Sequence, residues 1–241
     1  MNNNLKGKVA IITGASSGIG RAIALKFAAC GVKVVLIARN LQRLNEVKEA
    51  IESEGGKAFV FKVDLARPQE IKEVFAKIRA QAGEADILVN NAGVGSLGKT
   101  IAETTVEDYQ QIFDVNVRAI FLIIPQILPA MIKAREGTII NIGSISGKVG
   151  RANQSLYCAS KFALVGMTES LLEEVKAYNI RVCLICPDVV HTESNGKTKP
   201  ARGNLDNYIQ PDDIADAALL CVSDTQTATI KEIVVRTRRP I

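Results

Sequence analysis

Tyr157 and Lys161 lie four residues apart near the start of a run with helical spacing, so they share one helix face. A phenol titrates near pH 10 and is a poor base at neutral pH. An adjacent ammonium favours the phenolate, and a helix N-terminus acts in the same direction. Lowering the pKa by about three units takes roughly 4 kcal/mol of differential stabilisation, within reach of a partly desolvated pair aided by a further positive charge. Alone, Tyr-x-x-x-Lys is common on solvated helix faces. Its force here comes from Ser144, thirteen positions before Tyr157 and at the end of an apolar run, where a hydroxyl could hold a carbonyl oxygen beside the phenol.

A second constellation is Thr13-Gly14-Ala15-Ser16-Ser17-Gly18-Ile19-Gly20. The run Val9 to Ile12 before it suits a strand buried on both faces, and Ile19, Ile23, Ala24 and Phe27 after it recur at helical spacing. Such a junction offers free backbone N–H groups and the positive end of a helix dipole, both of which favour phosphate. The spacing Gly-x-x-x-Gly-x-Gly differs from the commoner dinucleotide fingerprint, and glycine-rich turns also serve as plain connectors.

Elements that could position these groups alternate along the chain. Strands are expected at Lys33 to Ala38, Ala58 to Val63, Ile87 to Val89, Thr138 to Ile142, Ile180 to Ile185 and Ile230 to Val235. Helices are expected over Leu41 to Ile51, from Pro68 through Ile78, over a long region from Val106 to Ala134, from Ser155 to Tyr178, and from Pro211. Pro187 to Gln210 reads as irregular and polar. The alternation predicts an α/β fold: one doubly wound, Rossmann-type domain over residues 1–241, with a seven-stranded parallel sheet and helices on both faces.

In such sheets ligands bind beyond the carboxyl ends of the strands. Those ends carry Gly14 to Gly20, Arg39, Asp64, Asn90 to Gly93, Ser144 and Pro187 to Thr192. Where NAD binders usually place an acid, this chain has Ala38 followed by Arg39. A guanidinium suits a 2′-phosphate, so NADP(H) is expected over NAD(H); an exposed surface arginine is the plainer alternative. Asp64 could bond an adenine amino group or cap its own loop.

Composition excludes other classes. Five cysteines are an odd count, and Cys183 and Cys186 sit in an apolar strand where residues three apart face opposite sides, as core thiols would. A zinc site would need a second ligand pair, and the only histidine is His191. No metal is expected. The net charge of +5 is scattered, with Arg236, Arg238 and Arg239 as the densest cluster, so no nucleic-acid surface is expected. The N-terminus lacks a signal-peptide pattern, and the apolar stretch Ala119 to Ile132 contains Pro125, Gln126 and Pro129 and is short for a bilayer. A soluble cytoplasmic protein with no membrane partner is the expectation.

Together, Thr13 to Gly20, Asn90-Asn91-Ala92-Gly93, Asn116 within Asp114-Val115-Asn116-Val117, Ser144, and Tyr157 with Lys161 resemble the short-chain dehydrogenases/reductases, among them the 3-oxoacyl-acyl-carrier-protein reductases. The resemblance covers nearly the whole chain. It implies a carbonyl reductase or alcohol dehydrogenase in which Tyr157 is the acid/base and Ser144 orients the carbonyl oxygen. Lys161 would hold the nicotinamide ribose and lower the Tyr157 pKa, and Asn116 would hold a relay water. Cofactor contacts are implied for Gly14, Ser16, Ser17, Gly18, Ile19, Gly20, Arg39, Asp64, Leu65, Asn91, Ala92, Gly93, Pro187, Val190 and Thr192, with Tyr157 and Lys161. The long helical region and the Ser155 helix resemble those that pair subunits in the family, implying a homodimer or homotetramer.

Two positions depart from the family pattern. Pro187-Asp188 replaces the usual Pro-Gly, and a carboxylate there could perturb nicotinamide binding or point to solvent. Gly143-Ser144 replaces the frequent Ser-Ser but keeps the catalytic hydroxyl. Lys197, Lys199 and Arg202 allow an acyl-carrier or phosphorylated substrate, solvated lysines being the simpler account. A reading from another class is a redox sensor that binds cofactor without turnover; such proteins often lose the tyrosine or lysine, and this chain has both.

Overall fold

Short β-branched runs that end in Gly, Asn or Asp become the strands of the computed structural model, which describes residues 5–192, 207–223 and 228–238. The strands are β1 (Val9–Thr13), β2 (Lys33–Ala38), β3 (Lys57–Lys62), β4 (Ile87–Asn90), β5 (Gly137–Ile142), β6 (Ile180–Pro187) and β7 (Glu232–Val235). The helices are α1 (Gly18–Ala29), α2 (Leu41–Ser53), α3 (Pro68–Ala82), α4 (Val106–Phe113), α5 (Ala119–Ala134), α6 (Ser155–Val175) and α7 (Pro211–Val222). All seven strands pair in parallel in the order β3-β2-β1-β4-β5-β6-β7. The chain reverses its direction of winding between β1 and β4, which opens a crevice at their carboxyl ends.

Strands buried on both faces make two cores. Ile12, Leu36 and Ile140 pack under α1, α2 and α7, and Ile11, Ile37 and Ile139 pack under α3, α5 and α6. Cys183 and Cys186 do point to opposite faces, and both are buried. Among the described residues no group of His, Cys, Asp or Glu could hold a metal ion.

The expected helix from Val106 to Ala134 is continuous but not uniform. Residues Asp114–Arg118 form a π-helical turn between α4 and α5, a feature that tends to accompany functional sites. The run is also longer than the apolar stretch read from sequence, and by length and composition alone it would span a bilayer. Its Ile123, Ile127 and Met131 are built into the core beneath the sheet. Pro125 and Pro129 sit on the outer face one turn apart, where the hydrogen bonds they forgo face outward.

Two further features were not anticipated: a 3₁₀ turn at Ile101–Glu103, held by a reciprocal Thr100–Glu103 cap, and a second at Ile145–Gly147 directly after Ser144. Lys197, Lys199, Arg202 and Arg239 lie outside the described residues.

Candidate active site

A cleft of about 770 Å³ runs along the carboxyl ends of the strands. It is lined by Gly14, Ser16, Ser17, Gly18 and Ile19 at one end and by Ser144, Tyr157, Lys161, Pro187, Val190 and Thr192 at the other. Arg39, Asp64, Leu65, Asn91, Ala92 and Gly93 line it between them. Of the catalytic and cofactor-binding residues expected from sequence, only Gly20 and Asn116 do not form its wall.

Gly20 serves packing instead. A Cβ there would meet the Gly14 carbonyl oxygen at 2.4 Å and Asn91 Nδ2 at 2.5 Å, so only glycine lets α1 close on the turn. The turn is pinned from β4: Asn91 Nδ2 donates to the Thr13 carbonyl at 2.9 Å and to the Gly14 carbonyl at 3.3 Å. Thr13 completes the junction, its Oγ1 accepting the N–H groups of Asn91 and Ala92 at 3.0 Å each. Sequence reasoning gave Thr13 no separate role; its place at the end of β1, beside the end of β4, is the signal that would have found it.

The site fits a dinucleotide. Helix α1 opens at Ser17 with no side-chain cap and no acidic residue in its first turn, leaving its N-terminal N–H groups and dipole to a pyrophosphate. Arg39 is exposed at the cleft and forms no ion pair among the described residues. Asp64 caps its own loop, Oδ1 accepting the Ala66 N–H at 3.1 Å, while it also lines the cleft.

At the other end, Lys161 is buried and its Nζ donates to the Ile142 carbonyl at 2.9 Å, just before Ser144. Burial without a carboxylate partner pushes its pKa down to about 8. The Tyr157 phenol moves opposite to the sequence expectation: burial raises its pKa, outweighing the bond with Ser144 that favours ionisation. Lys161 Nζ stands 5.9 Å from the Tyr157 ring centroid.

Asn116, carried on the π-helical turn, is buried behind the cleft. Its Nδ2 donates to the Val94 carbonyl at 2.9 Å and to Ser160 Oγ at 3.0 Å, and its Oδ1 accepts the Val94 N–H at 2.7 Å. The side chain expected to hold a water therefore has both donor hydrogens engaged. Ser160 Oγ in turn donates to the Tyr157 carbonyl at 2.7 Å, tying the π turn to the first turn of α6.

The two departures also resolve. Asp188 lines the cleft, and its carboxylate is withdrawn from solvent and pairs with Arg236 and Arg151. A Cβ on Gly143 would meet Leu184 Cδ1 at 3.0 Å and Cys186 Sγ at 3.1 Å, which accounts for glycine before Ser144.

Comparisons agree with this geometry. The chain is 40% identical to an uncharacterised oxidoreductase of Staphylococcus saprophyticus over 236 residues, covering 96% of this chain and 98% of that protein. It is 32% identical to a 3-oxoacyl-[acyl-carrier-protein] reductase of Thermotoga maritima over 237 residues, 95% of this chain and 96% of that one. A metagenomic short-chain oxidoreductase solved in complex with NADP superposes with a TM-score of 0.86 at 36% identity, covering 98% and 99% of the two chains. An alcohol dehydrogenase of Thermococcus sibiricus, complexed with 5-hydroxy-NADP, gives 0.87 at 26% identity, covering 97% and 99%. Residues 8–203 match the family model for short chain dehydrogenases, and the chain belongs to that family.

Proposed function

We propose that the chain is an NADP(H)-dependent oxidoreductase that interconverts a carbonyl and a secondary alcohol by hydride transfer. The observation that carries this reading is the convergence of Ser144, Tyr157 and Lys161 at one end of a cleft whose other end holds the glycine-rich turn and Arg39. When bound, NADP(H) supplies the hydride; the protein supplies placement, electrostatics and the proton.

Tyr157 keeps its proton at neutral pH, because burial holds its pKa up, and it gives that proton to the carbonyl oxygen during reduction. Ser144 orients the oxygen. Lys161, held over the end of β5 by Ile142, binds the ribose side of the cofactor. Asn116 fixes the wall at Val94, and the second lone pair of its Oδ1 is the position left for a water. Arg39 takes the 2′-phosphate, and the N-terminus of α1 with Ser16 and Ser17 takes the pyrophosphate.

The named reductase relative supports a 3-oxoacyl thioester as substrate class, with small ketones as the other class the open cleft admits. Exposed Phe121 on α5 and Phe162 on α6 support assembly as a homodimer or homotetramer through these helices.

Following NADPH and NADH oxidation over ketones, diketones and 3-oxoacyl thioesters tests the proposal. Turnover that prefers NADPH is expected. Tight NADPH binding with no turnover on any class would favour the cofactor-sensing reading instead.

A further inference from the structure

Asp188 stands directly after Pro187, at the carboxyl end of β6 and on the wall of the cleft. Its side chain is only 10% exposed. A carboxylate so covered costs free energy unless it is paired, and two guanidinium groups pair it. Arg236 Nε lies 3.1 Å from Oδ2, and Arg151 Nη2 lies 3.9 Å from Oδ1. The Asp188 backbone N–H also donates to the Val235 carbonyl at 2.9 Å.

The two arginines come from different parts of the chain. Arg236 follows β7 directly, and Arg151 lies in the loop between Ser144 and α6, six residues before Tyr157. A second pair, Lys148 with Glu232 at 2.7 Å, spans the same loop and β7. Beyond Asp188, Val190 bridges to Ile209 and the segment ends at Thr192 on the cleft wall. Glycine at position 188 would supply neither link to the two arginines.

We propose that Asp188 is a positioning residue, an ionic latch that fixes the Pro187 to Thr192 wall of the cleft to β7 and to the loop leading into Tyr157. It acts through Arg236 and Arg151, so that seating of the cofactor and placement of the acid are coupled. The inference rests on the reading of this cleft as an NADP(H) site. Arg236 and Arg151 are 67% and 41% exposed, so the latch is covered on its acidic side and open to water on its basic side.

The test measures the Kd of NADPH by its fluorescence, and kcat and KM with acetoacetyl-CoA, for wild type, Asp188→Asn, Arg236→Gln, the double variant and Asp188→Glu. Asp188→Asn and Arg236→Gln should each weaken NADPH binding roughly tenfold and lower kcat, with the double variant no worse than Asp188→Asn alone. Asp188→Glu should recover most of the loss, which a purely steric role would not allow. Should Asp188→Asn fail to fold, Arg236→Gln, altered on an exposed side chain, carries the comparison. Single variants that bind NADPH within about twofold of wild type, or losses that multiply in the double variant, would overturn the latch. Failure of the wild type itself to bind NADPH would instead remove the cofactor reading on which it rests.

Discussion

Asn116 Oδ1 accepts the Val94 N–H at 2.7 Å while Asn116 Nδ2 donates to the Val94 carbonyl at 2.9 Å, so one side chain satisfies both backbone groups of one residue in an irregular wall of the cleft. With its further bond to Ser160, Asn116 joins that wall to the helix bearing Tyr157 and Lys161. Asn116→Ala leaves three polar groups without this partner. A stability loss of about 2 kcal/mol in urea denaturation is expected, with kcat reduced at least roughly tenfold. Unchanged kcat would separate the π turn from catalysis.

Arg39 lines the cleft and is proposed to read the 2′-phosphate. Arg39→Asp should lower the NADPH over NADH ratio of kcat/KM by about 100-fold or more, by removing a guanidinium and adding a repelling charge. Steady-state kinetics with both cofactors check it, and an unchanged ratio would defeat the assignment.

Lys161 makes a statement about stability as well as catalysis. Its folded pKa of about 8 lies below the ordinary 10.5, so between these values the unfolded chain holds more protons and stability rises with pH. The cost of burying the ammonium is therefore fully present below about pH 8. Lys161→Met removes that cost, on the order of 3 kcal/mol, and forfeits the bond to Ile142, worth about 1 kcal/mol. The variant should be inactive yet about 2 kcal/mol more stable at pH 7, with the gain shrinking toward pH 9.5. Tyr157 does not confuse this window, since its raised pKa affects stability only above about pH 10. Denaturation at pH 7 and 9.5 decides, and a variant less stable at pH 7 would contradict the argument.

Beneath the site, Asn90 Nδ2 donates to Asn141 Oδ1 at 2.8 Å, Asn141 Nδ2 donates to Thr168 Oγ1 at 2.9 Å, and Thr168 donates to the Leu164 carbonyl. This buried ladder crosses β4, β5 and α6 and ties the helix bearing Tyr157 and Lys161 to the sheet. Thr168→Val keeps the volume but strands the Asn141 amide, and should cost about 1–3 kcal/mol, whereas Thr168→Ser should cost less. Thermal melts of the two variants test this; equal losses would assign the effect to packing.

Much of this was legible in the sequence because it is local. Short apolar, β-branched runs located the strands, and the four-residue spacing of Tyr157 and Lys161 located a shared helix face. The missed features depend on distant partners. No pattern in Asp114 to Arg118 announces a π turn, which is completed by Val94 and Ser160. The orientation of Asp188 required Arg236, 48 residues later on another element. The Tyr157 pKa was expected to fall because its charged neighbour is visible in sequence, whereas the burial that raises it is a property of the folded site.

The most direct test of the central claim is single turnover of Tyr157→Phe with bound NADPH and acetoacetyl-CoA. On the proposed reading the phenol is the proton donor, so the rate should fall at least about 10³-fold while the Kd for NADPH stays within about threefold of wild type. A Tyr157→Phe enzyme that keeps near-normal turnover would contradict the assignment of Tyr157 as the acid, and with it the reading of this cleft.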